Sequence, residues 1–383
     1  MDSRGELRPS LIGSYLLKRA AGFTRVCFQS WIAYEEGQEN WNTMHYFFRV
    51  TLPQLAAVFA KFHVQLEIIV HQGGHVFFRD PIPPEEPQDE ETEGQLFTEA
   101  YWEMLSPVLT KLILKIGGED VYIQNMEWLS SMQKLQYLEL HGVDFMSEPP
   151  SVIHFPQELS LSALKVLRLE RLLYMPRCHL DCPSLEALHL RELDFLRMPT
   201  GLGSCSRLTT LDVAAAMNPA HVSEDAGLLA AIESVQGTLE FLDISGWASY
   251  PGLNEVVDSI SRLPRLHALV AQRNGLTAVP ALPASLMSLD LRANDFTEVP
   301  VQLESLTQLT SLALSSKGSL ANFQIRRPLD AIISLPQLQK LTLVLDISVY
   351  KPAYAIWSAQ SLYYLGLAQY EIARSKSSLS LKF

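Results

Sequence analysis

Residues 164–169 read Leu-Lys-Val-Leu-Arg-Leu, and residues 185–190 read Leu-Glu-Ala-Leu-His-Leu. Both follow the pattern Leu-x-x-Leu-x-Leu, which returns along most of the chain with aliphatic or alanine replacements at a few positions. Eleven copies occur, and their first leucines are 20 to 31 residues apart. Such a period predicts a solenoid, because each repeat supplies one short strand whose apolar side is buried only by its neighbours. The first leucines are Leu109, Leu135, Leu164, Leu185, Leu208, Leu239, Leu266, Leu286, Leu309, Leu338 and Leu362.

Two copies carry an asparagine, Asn274 and Asn294, eight residues after the first leucine of the repeat. An asparagine at this offset can bond backbone groups of the turn that leaves the strand. With this feature, residues 109–368 resemble the leucine-rich-repeat superfamily. The resemblance implies an α/β solenoid, a curved horseshoe with a parallel sheet on its concave face and helices or irregular turns on its convex face.

The sequence divides into four parts. Residues 1–79 are interpreted as atypical first repeats or a cap, residues 80–94 as an acidic loop rich in Pro and Glu, residues 95–370 as the repeat array, and residues 371–383 as a C-terminal tail. Within the first part, residues 11–21 and 52–61 have helical spacing, and a strand-like segment follows each of them.

Composition excludes several classes of function. A formal charge of -12 opposes binding to nucleic acid and to anionic membranes, and no apolar stretch reaches the length of a spanning helix. The N-terminus lacks the layout of a secretory signal, and four cysteines in 383 residues fit a reducing compartment. We therefore expect a cytoplasmic protein. Cys182 and Cys205 occupy an apolar position of the repeat and should be buried thiols.

Catalytic motifs are not found. The sequence has no phosphate-binding glycine loop, no zinc-protease helix motif and no nucleophile-elbow serine. His71 and His75 could hold a metal, but the intervening glycines favour a solvated turn, and the spacing of Cys178 and Cys182 lacks a second ligand pair. The acidic run 85–93 is either a docking segment for a basic partner or a solvated loop. We predict no catalytic residue, cofactor or metal; a metal-dependent enzyme is the least favoured alternative.

A candidate binding surface follows from the alternation of side chains along a strand. Residues beside the repeat leucines should face the concave side, where a mixed polar stripe would recognise a protein partner. Alternatively, neighbouring opposite charges, Glu139 with Arg168 or Arg191 with Asp212, satisfy one another; both interpretations can hold at once. The predicted partner-binding residues are Glu139, His141, Arg168, Glu170, His189, Arg191, Asp212, Asp243, Gln272, Asp290 and Arg292.

A finer resemblance rests on the opening of the chain. Residues 8–22, Val26-Cys27-Phe28 and residues 52–55 (Leu-Pro-Gln-Leu) resemble the segment that follows the F-box in plant and green-algal F-box/leucine-rich-repeat proteins, although the F-box itself is absent. In that family the repeats are implied to hold the substrate of a ubiquitin ligase. The repeats with Asn274 and Asn294 look instead like those of intracellular signalling scaffolds. Both remain open as narrower functions.

Overall fold

The computed structural model describes residues 15–16, 18–33, 51–73, 99–117, 122–123, 126–142, 152–153, 155–172, 178–193, 197–214, 227–279, 281–296, 301–316, 332, 335–345 and 378–382. The chain divides into two compact units, Met1–Arg207 (unit 1) and Leu208–Phe383 (unit 2).

Unit 1 is built on a parallel sheet. Its strands and α-helices are β1 (Arg25–Ala33), α1 (Leu52–Lys61), β2 (Gln65–Gly73), α2 (Glu99–Leu105), β3 (Leu109–Gly117), β4 (Tyr122–Ile123), β5 (Tyr137–His141), β6 (Val152–Ile153), β7 (Glu158–Ser160), β8 (Val166–Glu170), β9 (His179–Asp181) and β10 (Ala187–Arg191). The main sheet has the order β1-β2-β3-β5-β8-β10, while β4 pairs with β6 and β7 pairs with β9. Short 3-10 helices span Ala20–Gly22, Glu127–Ser131 and Leu202–Ser204.

The repeat leucines of unit 1 align in register across these strands. Leu138 pairs with Leu167 and Leu167 with Leu188, and all three are fully buried. On each strand the residue between the second and third repeat leucines faces the other side: Arg168 and His189 are half-buried, and Glu139 is buried more deeply. One face of the sheet therefore packs into the leucine core, and we call the other its open face. The segments before the array join the same sheet, since β1 pairs with β2 and β2 with β3, all parallel.

Unit 2 continues the pattern of one strand per repeat. Its elements are β11 (Thr210–Asp212), α3 (Leu228–Ser234), β12 (Phe241–Asp243), α4 (Leu253–Ser259), β13 (Ala268–Val270), β14 (Ser288–Asn294), β15 (Ser311–Ser316), β16 (Lys340–Leu345) and β17 (Ser378–Lys382), with 3-10 helices at Ile260–Arg262 and Val301–Ser305. The strands pair in sequence order, all parallel. Helix α1 lies where the sequence spacing predicted a helical segment. These features establish the predicted α/β leucine-rich-repeat fold.

Strand β17 was not predicted. Leu341 of β16 pairs with Leu379, and Leu343 pairs with Leu381, inside the segment that the sequence assigned to the tail. The last predicted copy of the pattern, which begins at Leu362, lies outside the described residues.

A ladder of buried amide groups links neighbouring repeats of unit 2. Asn294 donates from Nδ2 to the carbonyl oxygens of Ala271 (2.8 Å) and Leu291 (2.9 Å), and its Oδ1 accepts from the backbone N–H groups of Asn274 (3.0 Å) and Leu276 (3.2 Å). This confirms the predicted role of the asparagine. A side chain that satisfies several backbone groups at once explains why a polar residue lies in the core.

Trp247 takes the asparagine position in the preceding repeat. Its indole Nε1 donates to the carbonyl of Val213 at 2.7 Å, just as Asn274 Nδ2 donates to the carbonyl of Ile244 at 3.0 Å. Trp247 is fully buried, and its backbone N–H donates to Oδ1 of Asn274 at 2.8 Å. The tryptophan therefore replaces one asparagine bond and fills the space with an aromatic ring.

The chain leaves several strands through a left-handed residue two positions after the third repeat leucine or its replacement. Glycine adopts this conformation readily, but most of these positions carry other residues. The residues are Arg171, Glu192, Gly246, Arg273 and Ala293, with φ between 50° and 86°. The shared turn brings the side chains that follow each strand to the same edge of the sheet. No helix in the described part of the chain is long and apolar enough to cross a membrane.

Candidate functional site

The predicted binding residues of unit 1 lie on three adjacent strands of the open face. Glu139 pairs in register with Arg168, and Arg168 pairs with His189. In the next row His141 pairs with Glu170, which pairs with Arg191. Neighbouring parallel strands are about 4.8 Å apart. Charged and imidazole groups from three repeats therefore form one continuous patch.

Glu139 is the most deeply buried of these side chains, with 7% of its surface exposed. Its Oε2 accepts a hydrogen bond from the hydroxyl of Tyr137 at 2.6 Å, and its Oε1 lies 3.9 Å from Nζ of Lys115. Burial of the phenol, followed by its bond to Glu139, raises the pKa of Tyr137 to about 12. Both carboxylate oxygens thus interact with residues other than Arg168, so the predicted Glu139–Arg168 pair does not form. The other predicted pair, Arg191 with Asp212, joins residues of different units and stays a prediction.

Arg168 lies at the centre of the patch without an ion pair among the described residues. Its Nε is buried and has no hydrogen-bond partner. Burial and the bond to Glu139 raise the pKa of Tyr137, and the nearby positive charge of Arg168 lowers it by a smaller amount. A buried donor without an acceptor costs about 1–3 kcal/mol, and more when the group is charged. Arg168 is therefore the group on this face that gains most from a new acceptor.

His141 stays neutral at neutral pH. Its Nε2 lies 3.8 Å from Oε1 of Glu170, an interaction that would favour the charged ring. Burial outweighs this attraction and lowers the pKa of His141 below 6.5. At the edge of the same strands, Nε of Arg171 donates to Oε2 of Glu192 at 2.7 Å, which ties two left-handed turns together.

Sequence reasoning missed a third row on this face, one position before the second repeat leucine. Tyr137 pairs in register with Lys111, and Nζ of Lys111 lies 5.1 Å from the centre of the tyrosine ring. The same alternation that predicted the other rows also places these residues here. Lys111 and Lys115 add positive charge to this face two strands away from Arg168, in a chain whose formal charge is -12.

The open face of unit 2 is satisfied by its own hydrogen bonds. Oδ1 of Asp243 accepts from the hydroxyl of Ser245 at 2.6 Å, and Nε2 of Gln272 donates to Oδ2 of Asp290 at 2.9 Å. Nη2 of Arg292 donates to the same Asp290 oxygen at 2.7 Å, and this bond raises the pKa of Arg292. The alternative of mutual satisfaction therefore describes this row.

Two predicted site residues of unit 2 are less accessible than expected. Asp212 exposes 1% of its surface and Asp243 exposes 7%. Both stay predictions as partner-binding residues, with little carboxylate surface to offer. The other candidates of unit 2, Gln272, Asp290 and Arg292, are half-buried, as are Arg168, Glu170, His189 and Arg191 of unit 1.

The cysteines form no disulfide, and only Cys27 is exposed. Cys182 and Cys205 are buried as predicted. Burial raises the pKa of both Cys178 and Cys182 to about 12, which keeps them as inert thiols.

Among the described residues, no group of three or more His, Cys, Asp or Glu side chains could hold a metal ion. His75 and the acidic run 85–93 lie outside the described residues, as does the side chain of His71.

Comparison with known proteins adds little to this picture. No family model matches the chain, and no curated protein matches it. A solved leucine-rich-repeat protein of Leptospira interrogans is similar over 96% of this chain and 98% of its own, with 15% sequence identity and a TM-score of 0.37. The assignment of the fold therefore rests on the strand register and leucine core of this chain.

Proposed function

We propose that this chain is a non-enzymatic scaffold that binds a protein partner on the open face, mainly through unit 1. The observation that carries the proposal is Arg168, whose buried Nε has no hydrogen-bond acceptor although the residue lies in the middle of a polar row. A group left unsatisfied at such a cost is typical of a recognition site, where a ligand completes the bonds. The proposed contact residues are Glu139, His141, Arg168, Glu170, His189 and Arg191.

The shape of the candidate surface favours a macromolecular partner. Three rows of side chains run across the strands at regular spacing, so the contact points extend over several repeats. Such a surface suits an extended or broad partner, which can meet several complementary charges at once. In unit 2 the candidates Asp243, Gln272, Asp290 and Arg292 are proposed as secondary contacts because their polar groups already bond to one another or to neighbouring residues, and Asp212 is almost fully buried.

Two narrower statements belong to this proposal. Four free cysteines suit a reducing compartment, so we place the function in the cytoplasm.

The resemblance of the opening residues to F-box/leucine-rich-repeat proteins adds the hypothesis that the bound partner is presented for ubiquitylation. That hypothesis predicts that the captured partner accumulates when the proteasome is inhibited in cells, and a partner whose level and ubiquitylation stay constant would contradict it.

The test is affinity capture from native extract with quantitative mass spectrometry. Replacing both Arg168 and Arg191 with Glu reverses two charges on the face and should remove the partner. Lys134→Glu is the matched control, because Lys134 is exposed on the turn before β5 and away from the open face. Equal capture by the double variant and the control would refute binding through unit 1, provided that both retain the circular dichroism of the parent.

A further inference from the structure

We infer that the open face of unit 1 binds a carboxylate side chain of an acidic protein segment, and that Arg168 is the residue that holds it. The inference rests on the proposed function and names the chemistry of the partner. Three observations carry it: Nε of Arg168 has no hydrogen-bond acceptor, the carboxylate of Glu139 already interacts with Tyr137 and Lys115, and cationic residues outnumber acidic residues on this face.

Arg168 has donors to offer and no acceptor to meet them. Its Nε is buried without a hydrogen bond, and the residue is half-buried on the outer side of the sheet. A guanidinium presents its N–H groups in a planar fork that matches the two oxygens of a carboxylate. Nε itself is enclosed, so an incoming Asp or Glu side chain would accept from the terminal nitrogens of this fork and supply the countercharge.

The nearest acid in register does not serve this purpose. Glu139 lies opposite Arg168 on β5, but its Oε2 accepts from Tyr137 at 2.6 Å and its Oε1 faces Lys115 at 3.9 Å. Because the pKa of Tyr137 is raised to about 12, the phenol keeps its proton and remains the donor to Glu139 at physiological pH. The fork of Arg168 thus stays available to an external group.

The charge of the face selects an acidic segment. Five cationic residues and three acidic residues occupy the described strands on this side: Arg25, Lys111, Lys115, Arg168 and Arg191 against Glu67, Glu139 and Glu170. Two of these cations already face acids, because Arg25 lies 3.2 Å from Glu67 and Lys115 lies 3.9 Å from Glu139. This local excess of positive charge stands out in a chain of formal charge -12. In unit 2 the corresponding cation, Arg292, is already held by Asp290 at 2.7 Å. The long-range charge of the chain opposes every polyanion, so binding depends on the local cations of this face, and the choice between carboxylate and phosphate is left to the test.

The probe is a fluorescein-labelled decaglutamate peptide, titrated with the full chain at low ionic strength and followed by fluorescence anisotropy. We expect saturable binding that weakens with added salt, whereas any binding of a decalysine peptide should not depend on Arg168. Arg168→Gln should weaken binding about tenfold, which corresponds to the loss of one charge-assisted pair. Arg168→Lys should restore part of the affinity because it keeps the charge without the fork.

Lys134→Gln is the control, since it removes one exposed positive charge from the same unit and should change affinity less than about twofold. Because Nε of Arg168 has no partner, Arg168→Gln should leave the melting temperature unchanged or higher. Equal affinities of Arg168→Gln and Lys134→Gln would overturn the inference. Tighter binding of a ten-residue oligothymidylate than of decaglutamate would also overturn it, in favour of phosphate.

The two proposals fail in different ways. If a native partner is captured through Arg168 and Arg191 but decaglutamate neither binds nor competes with it, the carboxylate inference is wrong and the proposed function stands. If decaglutamate binding depends on Arg168 while no protein is captured through the face, the proposed function is wrong and the anion site stands.

Discussion

Replacing Asn294 with alanine tests how the repeats of unit 2 are held together. The side chain of Asn294 is fully buried and takes part in four hydrogen bonds with backbone groups. Two of them bind the N–H groups of Asn274 and Leu276, and two bind the carbonyls of Ala271 and Leu291. Alanine removes all four and leaves the backbone groups in a site that water does not reach.

The expected loss can be worked out from these contacts. Each of the two N–H groups loses its acceptor, which costs about 1–3 kcal/mol for a buried donor. The two carbonyls lose bonds whose net value is about 1 kcal/mol each, an upper value because a carbonyl has a second lone pair. After partial relaxation we expect Asn294→Ala to lower the free energy of unfolding by about 3–5 kcal/mol.

The assay is urea unfolding followed by circular dichroism. Asn254→Ala is the matched control, because Asn254 is exposed on helix α4 and its replacement should change stability by less than about 0.5 kcal/mol. Asn294→Asp should be at least as destabilising as Asn294→Ala at neutral pH, because its buried carboxylate would face the carbonyl oxygens of Ala271 and Leu291. A loss below about 1 kcal/mol for Asn294→Ala would refute the argument that this amide stabilises the stack.

Three further predictions concern single groups. One thiol, Cys27, should react with 5,5′-dithiobis(2-nitrobenzoate) in the native protein and the other three only after denaturation, and rapid reaction of two or more would contradict the buried core. The free energy of unfolding should fall as the pH drops below about 6.5, because His141 is protonated in the unfolded chain, whereas burial lowers its pKa in the folded protein more than Glu170 raises it. In pH-dependent denaturation His141→Gln should flatten this slope. An unchanged slope would contradict the assignment of the effect to His141. The chain has thirteen tyrosines, so the ionisation of Tyr137 should appear near pH 12 as the difference between the ultraviolet titrations of the parent and of Tyr137→Phe. Glu139→Gln should move this component to lower pH, and identical titrations would show that Glu139 does not act on the phenol.

Periodicity predicted the features that depend on local spacing. The register of Leu138, Leu167 and Leu188, the helix Leu52–Lys61 and the bonding of Asn294 to backbone groups are all confirmed. Each follows from a rule that acts within one repeat or one turn of helix. Stacking then reproduces the same local solution along the chain, so a one-dimensional pattern suffices.

The sequence did not predict which side chains of different repeats contact each other. The predicted Glu139–Arg168 pair is wrong because Tyr137 and Lys115 are better placed to reach the carboxylate. Trp247 gives no sign in sequence that it donates to Val213 in place of an asparagine. These outcomes depend on rotamers and on distances between strands, which a repeat consensus does not contain.

The amino-acid sequence by itself determined that this protein is a leucine-rich-repeat solenoid with a leucine core on one side of its strands and a polar row on the other. Only the tertiary structure decided which polar groups satisfy each other, and so left the Nε of Arg168 without an acceptor. The physical reason is range. Burial of aliphatic side chains is set by a period of local spacing, whereas a hydrogen bond requires two particular atoms from distant repeats to lie about 3 Å apart with suitable geometry.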